Sequence, residues 1–406
     1  MITKADNIDR NNIKFIMCSF FPVGLEDYVE FFKKYFSNFI YLKWKFPHSR
    51  DKKASSGLEY YKNHSLVKGK KFFSFSLAGS PFYFLFLPLN YLIYFWQSLF
   101  LLFIPKKKEE KIIYMGINYF CTFCGIVLKF FGKVDFVIYR VMDFFPLPTS
   151  GAYQFLNRIF YIFDRFCLKN SDSIWFTTEG HIIGREKYGY FNRKTTAHQI
   201  IPLAVNLDKF ISRSLNQRNH HSMIYCGVIS RYQMLDLIFK AISNLKTNFP
   251  DIKLNLIGSG PDVEYYKEMV KELNIGKYVT FYGFMDEGEK FYQLMADNSL
   301  GIALYKDEEN YMKYTEPAKV KYYLNFGVPP IVSDVPKIAR ELDREKVAFC
   351  VKNDLKDIAG IISKFFNDKE MQKQYKKNIS EFVKNIDVNF LLEKNLEETF
   401  PNFKEG

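Results

Sequence analysis

Short apolar runs alternate with segments of helical periodicity along almost the whole chain, and this alternation constrains the fold more than any other feature. The first apolar run covers residues 13–20, a turn follows at 21–24, and 26–36 has helical spacing. A strand, a glycine turn and a helix in this order open a doubly wound α/β domain. The regular succession of such units predicts parallel sheets with helices on both faces.

Two domains are predicted from the length and from one polar interruption. The chain has 406 residues, which suits two domains of ordinary size. A polar, basic stretch at 206–222 separates two sets of alternating strands and helices. We expect an N-terminal domain over 1–205, a C-terminal domain over 206–385 and a terminal helix over 386–406 that packs on the N-terminal domain. The polar and basic segment 45–70 is predicted to be a long loop.

The stretch 311–334, YMKYTEPAKVKYYLNFGVPPIVSD, predicts a loop, a short helix, a sharp helix end and a buried strand. Pro317 suits the first helical position, because its missing N–H is unpaired there anyway. Gly327 suits the left-handed residue that ends a helix, and the two prolines after it prevent continuation of the helix. Residues 331–333 are predicted to form the strand.

Lys319 is the first candidate binding residue. It falls in the first turn of the predicted helix, where unpaired N–H groups and the helix dipole favour an anion. A phosphate site is one interpretation, and a solvated lysine is the other. Tyr322 follows three residues later, so it is expected on the same helix face.

The same stretch resembles a sequence element of the group 1 glycosyltransferases, which have the GT-B fold. The family pattern is P-x-K-x-x-E-Y-L-x-x-G-x-P, and its matching residues here are Pro317, Lys319, Tyr323, Leu324, Gly327 and Pro329. The resemblance implies that Lys319 contacts the diphosphate of a nucleotide-sugar donor. In the family a glutamate holds the nucleotide ribose. Tyr322 stands at that position here, and Tyr314 stands at the first glutamate of the longer, paired motif.

The resemblance also implies the architecture. It predicts two Rossmann-like, doubly wound domains that face a central cleft, with the C-terminal helix crossing back to the first domain. The second domain would hold the donor and the first would hold the acceptor. Residues 200–206 resemble the family's interdomain segment, with Ala204 and Asn206 in place of glycine and aspartate.

Glycine turns after predicted strands of the second half resemble further parts of the donor site. They permit close backbone approach to a ligand, or they are turns without a ligand. Arg231 is expected either to pair with phosphate or to be solvated. Gln233 and Met234 stand where the family has a Lys-Gly pair. The predicted donor-binding residues are Phe284 and Met285 beside the base, Tyr305 and Glu316 beside the sugar, and Gly227, Arg231, Gly258, Gly260, Lys319 and Tyr322.

Asp143 is the candidate catalytic base. It ends a predicted strand of the first domain, and ligands of doubly wound sheets bind beyond the carboxyl ends of strands. A carboxylate there accepts the proton of an acceptor hydroxyl, an effect of about 10²–10⁴-fold. Helix capping or a structural ion pair is the alternative interpretation. Asp164 is a weaker candidate, and Gly24 and Glu26 are predicted on the acceptor side.

No metal and no other cofactor are expected. The sequence contains no Asp-x-Asp pair, and its 6 histidines show no convincing ligand spacing. Cys121-x-x-Cys124 has no second pair, so reduced core cysteines are expected rather than zinc ligands. The missing carboxylate pair favours a transferase that neutralises the leaving diphosphate with lysine, arginine and helix N-termini.

Residues 81–104 form the most apolar stretch. One continuous helix there would be roughly 36 Å long, enough to span a bilayer. Pro88, Asn90 and Gln97 interrupt it, and lysines flank it on both sides. Three interpretations stay open: helices in the membrane interface with lysines on anionic headgroups, a core segment, or a single span. We favour the interfacial one.

Charge and the polar N-terminal sequence suggest partners and location. The net charge of +13 predicts affinity for anions, and without a nucleic-acid motif we expect a nucleotide and acidic lipid rather than nucleic acid. The polar start predicts no signal peptide, hence a cytoplasmic protein, peripheral on the inner face of the cell membrane.

Together these features predict a nucleotide-sugar-dependent glycosyltransferase, of hexosyl or glucuronosyl type, acting on a hydroxyl of a lipid-linked or cell-surface glycan. Lys319, the tyrosine at the glutamate position and the apolar segment also resemble the xanthan-type glucuronosyltransferases. That likeness implies an inverting mechanism, but both stereochemical outcomes stay open. The alternatives are a non-catalytic relative that binds nucleotide or glycan, and a single-span membrane protein.

Overall fold

The computed structural model describes residues 8–21, 25–46, 55–75, 83–146, 152–209, 219–308 and 311–404. The chain forms two compact units. The N-terminal unit contains residues 1–177, 181–201 and 392–406, and the C-terminal unit contains residues 178–180 and 202–391. The end of the chain therefore returns to the N-terminal unit.

Strands and helices alternate in the first half of the chain. The strands are β1 (Ile8–Asp9), β2 (Ile13–Phe21), β3 (Asn38–Lys45), β4 (Ser56–Lys62), β5 (Ser65–Phe72), β6 (Lys111–Ile117), β7 (Phe136–Val141), β8 (Ser173–Phe176) and β9 (Gln199–Ile200). The helices are α1 (Glu26–Tyr35), α2 (Tyr83–Ser98), α3 (Tyr119–Phe130), α4 (Ala152–Asn170) and α5 (Glu179–Lys187).

The parallel core of the N-terminal unit is a doubly wound sheet. Its strands follow the order β3-β2-β6-β7-β8-β9, and each pairs in parallel with its neighbour. The described part of β2 is buried almost throughout, as expected for a parallel strand with helices on both faces. On one face the ring of Phe15 stacks on Phe32 at 4.3 Å and on Phe36 at 4.6 Å. The predicted fold class is confirmed here.

The prediction of a long loop over 45–70 is wrong. Residues 56–72 form an antiparallel hairpin in which β4 pairs with β3 and with β5, so this sheet is not parallel throughout. The turn uses Asn63 and His64 with positive φ angles of 46° and 67°, the backbone that a tight hairpin requires. β5 is an exposed edge strand, and its lysines protect that edge from pairing with another chain. The strand has no buried face, so its sequence lacks an apolar pattern.

The apolar stretch 81–104 is divided between core and surface. It contains α2 and a 3-10 helix, Leu99–Phe103, and Pro88 lies inside α2. Tyr94 and Leu101 are fully buried, whereas the side chain of Trp96 is 67% exposed. Among the helices of the described residues, none combines the length and apolarity needed to cross a membrane.

The second half of the chain continues the alternation. Its strands are β10 (Ser222–Cys226), β11 (Lys253–Ile257), β12 (Val279–Gly283), β13 (Leu300–Ala303), β14 (Pro330–Ser333), β15 (Phe349–Val351) and β16 (Phe403–Lys404). Its helices are α6 (Leu235–Leu245), α7 (Val263–Glu272), α8 (Glu289–Ala296), α9 (Ala318–Asn325), α10 (Ile338–Arg344), α11 (Leu355–Asn367), α12 (Lys369–Phe382) and α13 (Val388–Thr399).

The C-terminal unit has a fully parallel sheet in the order β12-β11-β10-β13-β14-β15 within the described residues. This is the strand order of dinucleotide-binding doubly wound domains, in which the order reverses beside the first strand. Apolar faces of α6 and α11 cover one side of the sheet, and Ile238, Ile242, Ile358 and Ile362 are fully buried there. The second Rossmann-like domain of the prediction is thereby confirmed.

The predicted elements of the stretch 311–334 are present. The helix is α9, and it starts one residue later than predicted, because Pro317 is its N-cap with φ −70° and ψ 115°. Gly327 has the left-handed φ of 65°, and β14 follows. Lys319 is thus the second residue of α9.

The end of the chain packs within the N-terminal unit. β16 pairs in parallel with β1. The ring of Phe400 lies 4.7 Å from that of Phe136, and the indole N–H of Trp175 donates to the Thr399 hydroxyl at 3.2 Å. These contacts fix the last residues of the chain to the strands of this unit.

Candidate functional site

The candidate donor site lies at the carboxyl ends of the C-terminal strands. β10 is followed by Gly227, β11 by Gly258, and β12 ends at Gly283. Because the six strands are parallel, these ends share one edge of the sheet. α9 begins after β13, so its N-terminus belongs to the same edge.

Gly258 and Gly260 are required by contact between two loops of the protein itself. A Cβ atom on Gly258, whose φ is +134°, would lie 1.9 Å from the carbonyl oxygen of Gly227. A Cβ atom on Gly260 would lie 2.1 Å from the oxygen of Ile229. The close backbone approach predicted for a ligand is thus made, at these two positions, by the loop after β10.

Lys319 reaches from α9 to the loop after β10. Its ammonium donates to the Tyr225 hydroxyl at 3.2 Å and to Gln233 Oε1 at 2.5 Å. The same nitrogen lies 4.3 Å from the ring centre of Tyr225 and 5.2 Å from that of Tyr305. Two aromatic rings and one amide oxygen therefore surround the ammonium, and these groups carry no formal charge.

Removal from water lowers the pKa of Lys319 to about 7, and the nearby Cys226 thiol raises it. The residue is only half-buried, so it remains accessible from solvent. Burial holds the pKa of the Tyr305 phenol well above its ordinary value, so this ring stays neutral. Among the described residues Lys319 has no carboxylate partner within ion-pair distance, and an anionic ligand would therefore stabilise its charged form.

The space beside Lys319 is bounded by Gly227. A Cβ atom placed on Gly227 would lie 3.5 Å from the lysine Nζ, at ordinary van der Waals distance. The bare backbone of Gly227 and the ammonium therefore lie together, and this ammonium belongs to the first turn of α9. Such a combination suits phosphate, because it offers one cation and oriented backbone donors.

Arg231 lies in the same loop but has partners of its own. Its guanidinium is 3.5 Å from an Asp262 carboxylate oxygen and 4.1 Å from the ring centre of Tyr265. Its backbone N–H donates to Asp262 at 2.9 Å. The side chain is 67% exposed, so the predicted role toward phosphate requires it to leave an exposed, weak ion pair.

Phe284 and Met285 follow β12 at the same sheet edge. Phe284 is 76% exposed, whereas Met285 is half-buried. An exposed aromatic ring at this edge offers a face on which a planar base can stack. The structure thus brings both residues to the predicted edge.

Tyr322 lies on α9 one turn after Lys319, and its hydroxyl donates to Oε1 of Glu287. Its ring also meets the ring of Phe291 edge-on at 6.2 Å. Glu287 lies in the loop between β12 and α8. A carboxylate therefore stands next to Tyr322, although none is present at that position of the sequence.

Glu316 is held in a buried ion pair. Its carboxylate lies 2.8 Å from the Lys321 ammonium, and the two side chains are 1% and 5% exposed. It also accepts the backbone N–H of Leu203 at 2.7 Å. With these partners Glu316 stabilises the local structure. Its predicted contact with the donor sugar is not tested by them and stays a prediction.

Asp143 follows β7 in the N-terminal unit, as predicted. Its backbone carbonyl accepts a hydrogen bond from Arg185 at 3.2 Å. Loss of hydration raises the pKa of the Asp143 carboxyl and the Arg185 guanidinium lowers it, although the residue still has an exposed surface. A raised pKa makes a carboxylate a better proton acceptor.

Asp164, the weaker candidate, is structural. Its carboxylate binds the Arg185 guanidinium through hydrogen bonds of 2.9 and 3.1 Å, and both side chains are fully buried. It also accepts from the Tyr139 hydroxyl. Arg185 joins this buried pair to the backbone of Asp143, and sequence reasoning missed the connection because the three residues are far apart in the chain.

The other predicted groups are placed as follows. Glu26 is exposed in the first turn of α1, and Gly24 lies outside the described residues. Cys121 and Cys124 are buried free thiols, as expected. Within the described part of the chain, no group of three His, Cys, Asp or Glu side chains is placed to hold a metal ion.

Gln233 and Met234 occupy the positions of the family's Lys-Gly pair. Gln233 accepts a hydrogen bond from Lys319, and Met234 keeps a left-handed backbone with φ 48°. Met234 thus holds a backbone conformation that glycine adopts more readily. The place of Gln233 in the motif is the only feature of the sequence that draws attention to it. The contact of Gln233 with Lys319 is seen only in the structure.

Two doubly wound units, with a candidate donor site on the second, give this protein the architecture of the GT-B fold. HepE of Anabaena in complex with UDP and glucose is similar over 96% of this chain and 99% of that chain, with 12% identity and a TM-score of 0.65. Sucrose-phosphate synthase of Thermosynechococcus elongatus is similar over 95% and 98%, with 16% identity and a TM-score of 0.68. Residues 208–382 match the family model described as "Glycosyl transferases group 1". The resemblance drawn from Lys319 and its neighbours is thereby confirmed.

A third structure with this fold is WaaG, described as a glycosyltransferase involved in lipopolysaccharide biosynthesis. It is similar over 95% of this chain and 99% of that chain, with 13% identity and a TM-score of 0.60. A comparison with curated protein sequences gave no match. The xanthan-type subfamily is not identified by any of these comparisons.

Proposed function

We propose that this protein transfers a sugar from a nucleoside diphosphate sugar to a hydroxyl group of a lipid-linked or cell-surface glycan, without a metal ion. The observation that carries the proposal is the position of Lys319. Its half-buried ammonium lies beside Gly227 at the start of α9, without a carboxylate partner among the described residues. An anion with two phosphates fits this combination of charge and backbone donors.

The donor class is supported by the neighbours. HepE has been crystallised with UDP-glucose and with UDP and glucose. When the bond between the sugar and the diphosphate breaks, negative charge develops on the leaving phosphate. The Lys319 ammonium and the N–H groups of α9 would stabilise that charge, which is the largest catalytic contribution expected of such a site.

Asp143 would serve as the general base. It accepts the proton of the acceptor hydroxyl as the new glycosidic bond forms. The hydrogen bond from Arg185 to the Asp143 backbone fixes the start of this segment. Since Arg185 is itself held by the buried Asp164, the segment has a rigid support.

Metal independence is proposed because cationic groups of the protein can neutralise the diphosphate. The chain has no Asp-x-Asp pair, and Lys319 supplies the charge that a divalent ion would otherwise provide. Addition of a chelator is expected to leave transfer unchanged. A loss of activity with a chelator that magnesium or manganese restores would contradict this part of the proposal.

A membrane surface is proposed as the place of the acceptor. Trp96 and Phe103, at the end of the 81–104 stretch, are 67% and 82% exposed. Beside them the Lys70 ammonium of β5 lies 4.0 Å from the ring centre of Phe100. Exposed aromatic rings next to lysines suit the interface of an anionic bilayer. The location that we propose is therefore the cytoplasmic side of the cell membrane, where the protein would bind peripherally.

A donor screen followed by two variants tests the transfer proposal. Thermal shift against nucleoside diphosphates and their sugars should identify one donor that stabilises the protein. Lys319→Ala should then weaken donor binding by about 10- to 100-fold, the loss expected for a hydrogen bond to a charged group. Asp143→Asn should bind the donor normally but lose about 10²–10⁴-fold in transfer.

Lys277→Ala is the matched control, because Lys277 is exposed at the opposite end of β12. It should behave as the wild-type protein. Full transfer by Lys319→Ala, or equal losses in the two lysine variants, would contradict the assigned donor site.

Flotation with vesicles of phosphatidylglycerol tests the membrane proposal. The double change Trp96→Ser with Phe103→Ser should reduce the bound fraction, and so should high salt, which screens the lysines. Tyr232→Ser serves as control, since Tyr232 is 57% exposed in the C-terminal unit. Equal binding of all three proteins would contradict the assigned surface.

A non-catalytic nucleotide-binding relative is the second candidate. It is favoured by the tyrosines at both glutamate positions, since Tyr314 and Tyr322 supply no carboxylate of their own. This candidate predicts that a donor binds and that no nucleoside diphosphate is released, with or without acceptors. Turnover of any donor would exclude it.

A further inference from the structure

The two faces of the N-terminal sheet are covered by helices of different character. α1 packs on the side of Phe15, and its exposed side chains, Glu26, Glu30 and Lys34, are charged and of both signs. α3 packs on the opposite side, in the cluster that contains Cys18. Successive residues of a strand point to opposite faces, so α1 and α3 lie on the two sides of one sheet.

The outer surface of the second layer is apolar. On α4 the side chains of Ile162 and Phe166 are exposed four residues apart, and the first is 68% exposed. Leu92 and Trp96 have the same spacing on α2, and this spacing puts each pair on one side of its helix. We call this surface of α2, α3 and α4 the outer helical face, and its exposed apolar residues are Leu92, Trp96, Phe130, Ile159, Ile162 and Phe166.

Ring contacts join the three helices of this face. The ring of Phe95, next to Trp96, lies 5.9 Å from that of Phe123 on α3. Phe123 in turn lies 5.1 Å from Phe163 and 5.8 Å from Phe166 on α4. Each of these rings is exposed or only half-buried. The apolar surfaces of α2 and α4 are therefore continuous, and soluble monomeric proteins rarely expose a large continuous apolar area.

The charges on this face indicate what covers it. α2 contains no charged residue. The exposed charged side chains of the described part of α4 are Arg158, Arg165 and Lys169, whereas its acidic residue, Asp164, is fully buried. Basic residues among exposed apolar ones are typical of a helix that lies in the interface of an anionic bilayer. A second copy of this chain would bring positive charges against each other.

The outer helical face reaches the segment of Asp143. Phe145 is exposed, its ring lies 6.1 Å from that of Phe160 on α4, and its carbonyl accepts a hydrogen bond from the Tyr161 hydroxyl. Phe145 follows Asp143 by two residues, which span at most about 7 Å of chain. The candidate base therefore lies at the rim of the face.

We propose that the outer helical face is a docking surface for an anionic bilayer, with α4 as a second contact beside α2, and that it holds Asp143 at the level of the lipid headgroups. The inference rests on the proposed function, because it deepens its membrane part. It narrows the acceptor to a lipid whose accepting hydroxyl lies close to the membrane, on the headgroup or on the first sugars attached to it. A hydroxyl at the far end of a long glycan would lie away from Asp143.

Flotation with phosphatidylglycerol vesicles tests the contact of α4. The double change Ile162→Ser with Phe166→Ser should lower the partition coefficient by about tenfold or more, because two apolar side chains no longer enter the interface. Arg158→Gln with Arg165→Gln should lower it by a similar factor at low salt and have little effect at high salt. Phe390→Ser, an exposed ring on α13, and Lys34→Gln, on the opposite side of the sheet, are the matched controls and should bind as the wild-type protein does.

Tryptophan fluorescence tests the position of Asp143. Trp44 and Trp175 are fully buried, so Trp96→Phe with Phe145→Trp has one exposed reporter, two residues from Asp143. Its emission should move to shorter wavelength when phosphatidylglycerol vesicles are added, and lipids brominated near the headgroup should quench it. Trp96→Phe alone is the control and should show neither change. An unchanged emission of the reporter in vesicle-bound protein would overturn the placement of Asp143.

The remaining outcomes separate this inference from the proposed function. If the α4 variant binds vesicles fully and the Trp96 and Phe103 variant does not, the role of α4 is overturned and the membrane proposal stands. Absence of vesicle binding by the wild-type protein would overturn both. A wild-type dimer in solution that the α4 variant converts to a monomer would assign the face to a second copy and overturn the docking surface. Donor binding, measured by thermal shift, should be the same in all these variants.

Discussion

Binding of a nucleoside diphosphate should depend on pH through Lys319. Its pKa is lowered to about 7 in the free protein because the ammonium is removed from water. A bound diphosphate stabilises the ammonium, so it raises this pKa and the protein takes up a proton on binding. Affinity should therefore be highest below pH 7 and should fall as the pH rises above it.

The size of the effect follows from the fraction of charged lysine. That fraction falls from about one half at pH 7 to about one hundredth at pH 9. Affinity should thus fall by up to about fiftyfold, or about 2.3 kcal/mol, over this interval. Cys226, with a pKa of about 11, does not titrate there, and the terminal phosphate of the ligand is ionised throughout.

Isothermal titration calorimetry in buffers of different ionisation heat measures both the affinity and the number of protons taken up on binding. At pH 8 the uptake should be about 0.9 proton per nucleotide bound. Lys319→Arg keeps its charge at every pH used, so its affinity should not depend on pH, whatever its absolute value. A flat wild-type profile from pH 7 to 9, or the same slope in Lys319→Arg, would refute the reasoning.

Two further predictions concern stability, measured by urea unfolding. Gly258→Ala should lower the free energy of unfolding of its unit by about 2–4 kcal/mol, because the backbone is left-handed and the facing carbonyl is too close. Gly276→Ala, with open space around it, should change it by less than about 0.5 kcal/mol, and equal effects would contradict the loop contact. Asp164→Ala should cost about 3–5 kcal/mol, since it leaves Arg185 buried without a counter-charge. The comparison is the pair of the half-buried Asp236 with the exposed Lys240, whose charged atoms are 3.7 Å apart, and Asp236→Ala should cost less than about 1 kcal/mol.

The sequence predicted the fold well where local rules and burial agree. The buried parallel strands are continuous apolar runs, and proline and glycine mark both ends of α9, so the stretch around Lys319 was predicted almost to the residue. The position of Asp143 after β7 followed from the same alternation. These features depend on contacts that are local or on the burial of a whole strand.

The features that were not predicted from the sequence depend on contacts between residues that are far apart in the chain. The hairpin of β4 and β5 was missed because its outer strand is exposed on both faces and carries no apolar pattern. The partners Gln233 and Glu287 were missed because they reach Lys319 and Tyr322 from other loops. Buried pairs such as Asp164 with Arg185 arise in the same way, since no sequence spacing specifies them.

The central claim is that the Lys319 ammonium binds the diphosphate of the donor. A crystal structure with a bound nucleoside diphosphate measures this most directly. A phosphate oxygen is expected at about 2.7–3.2 Å from Lys319 Nζ, with the phosphates beside Gly227 and the first N–H groups of α9. A diphosphate bound elsewhere, with Lys319 still donating to Gln233 and Tyr225, would contradict the claim.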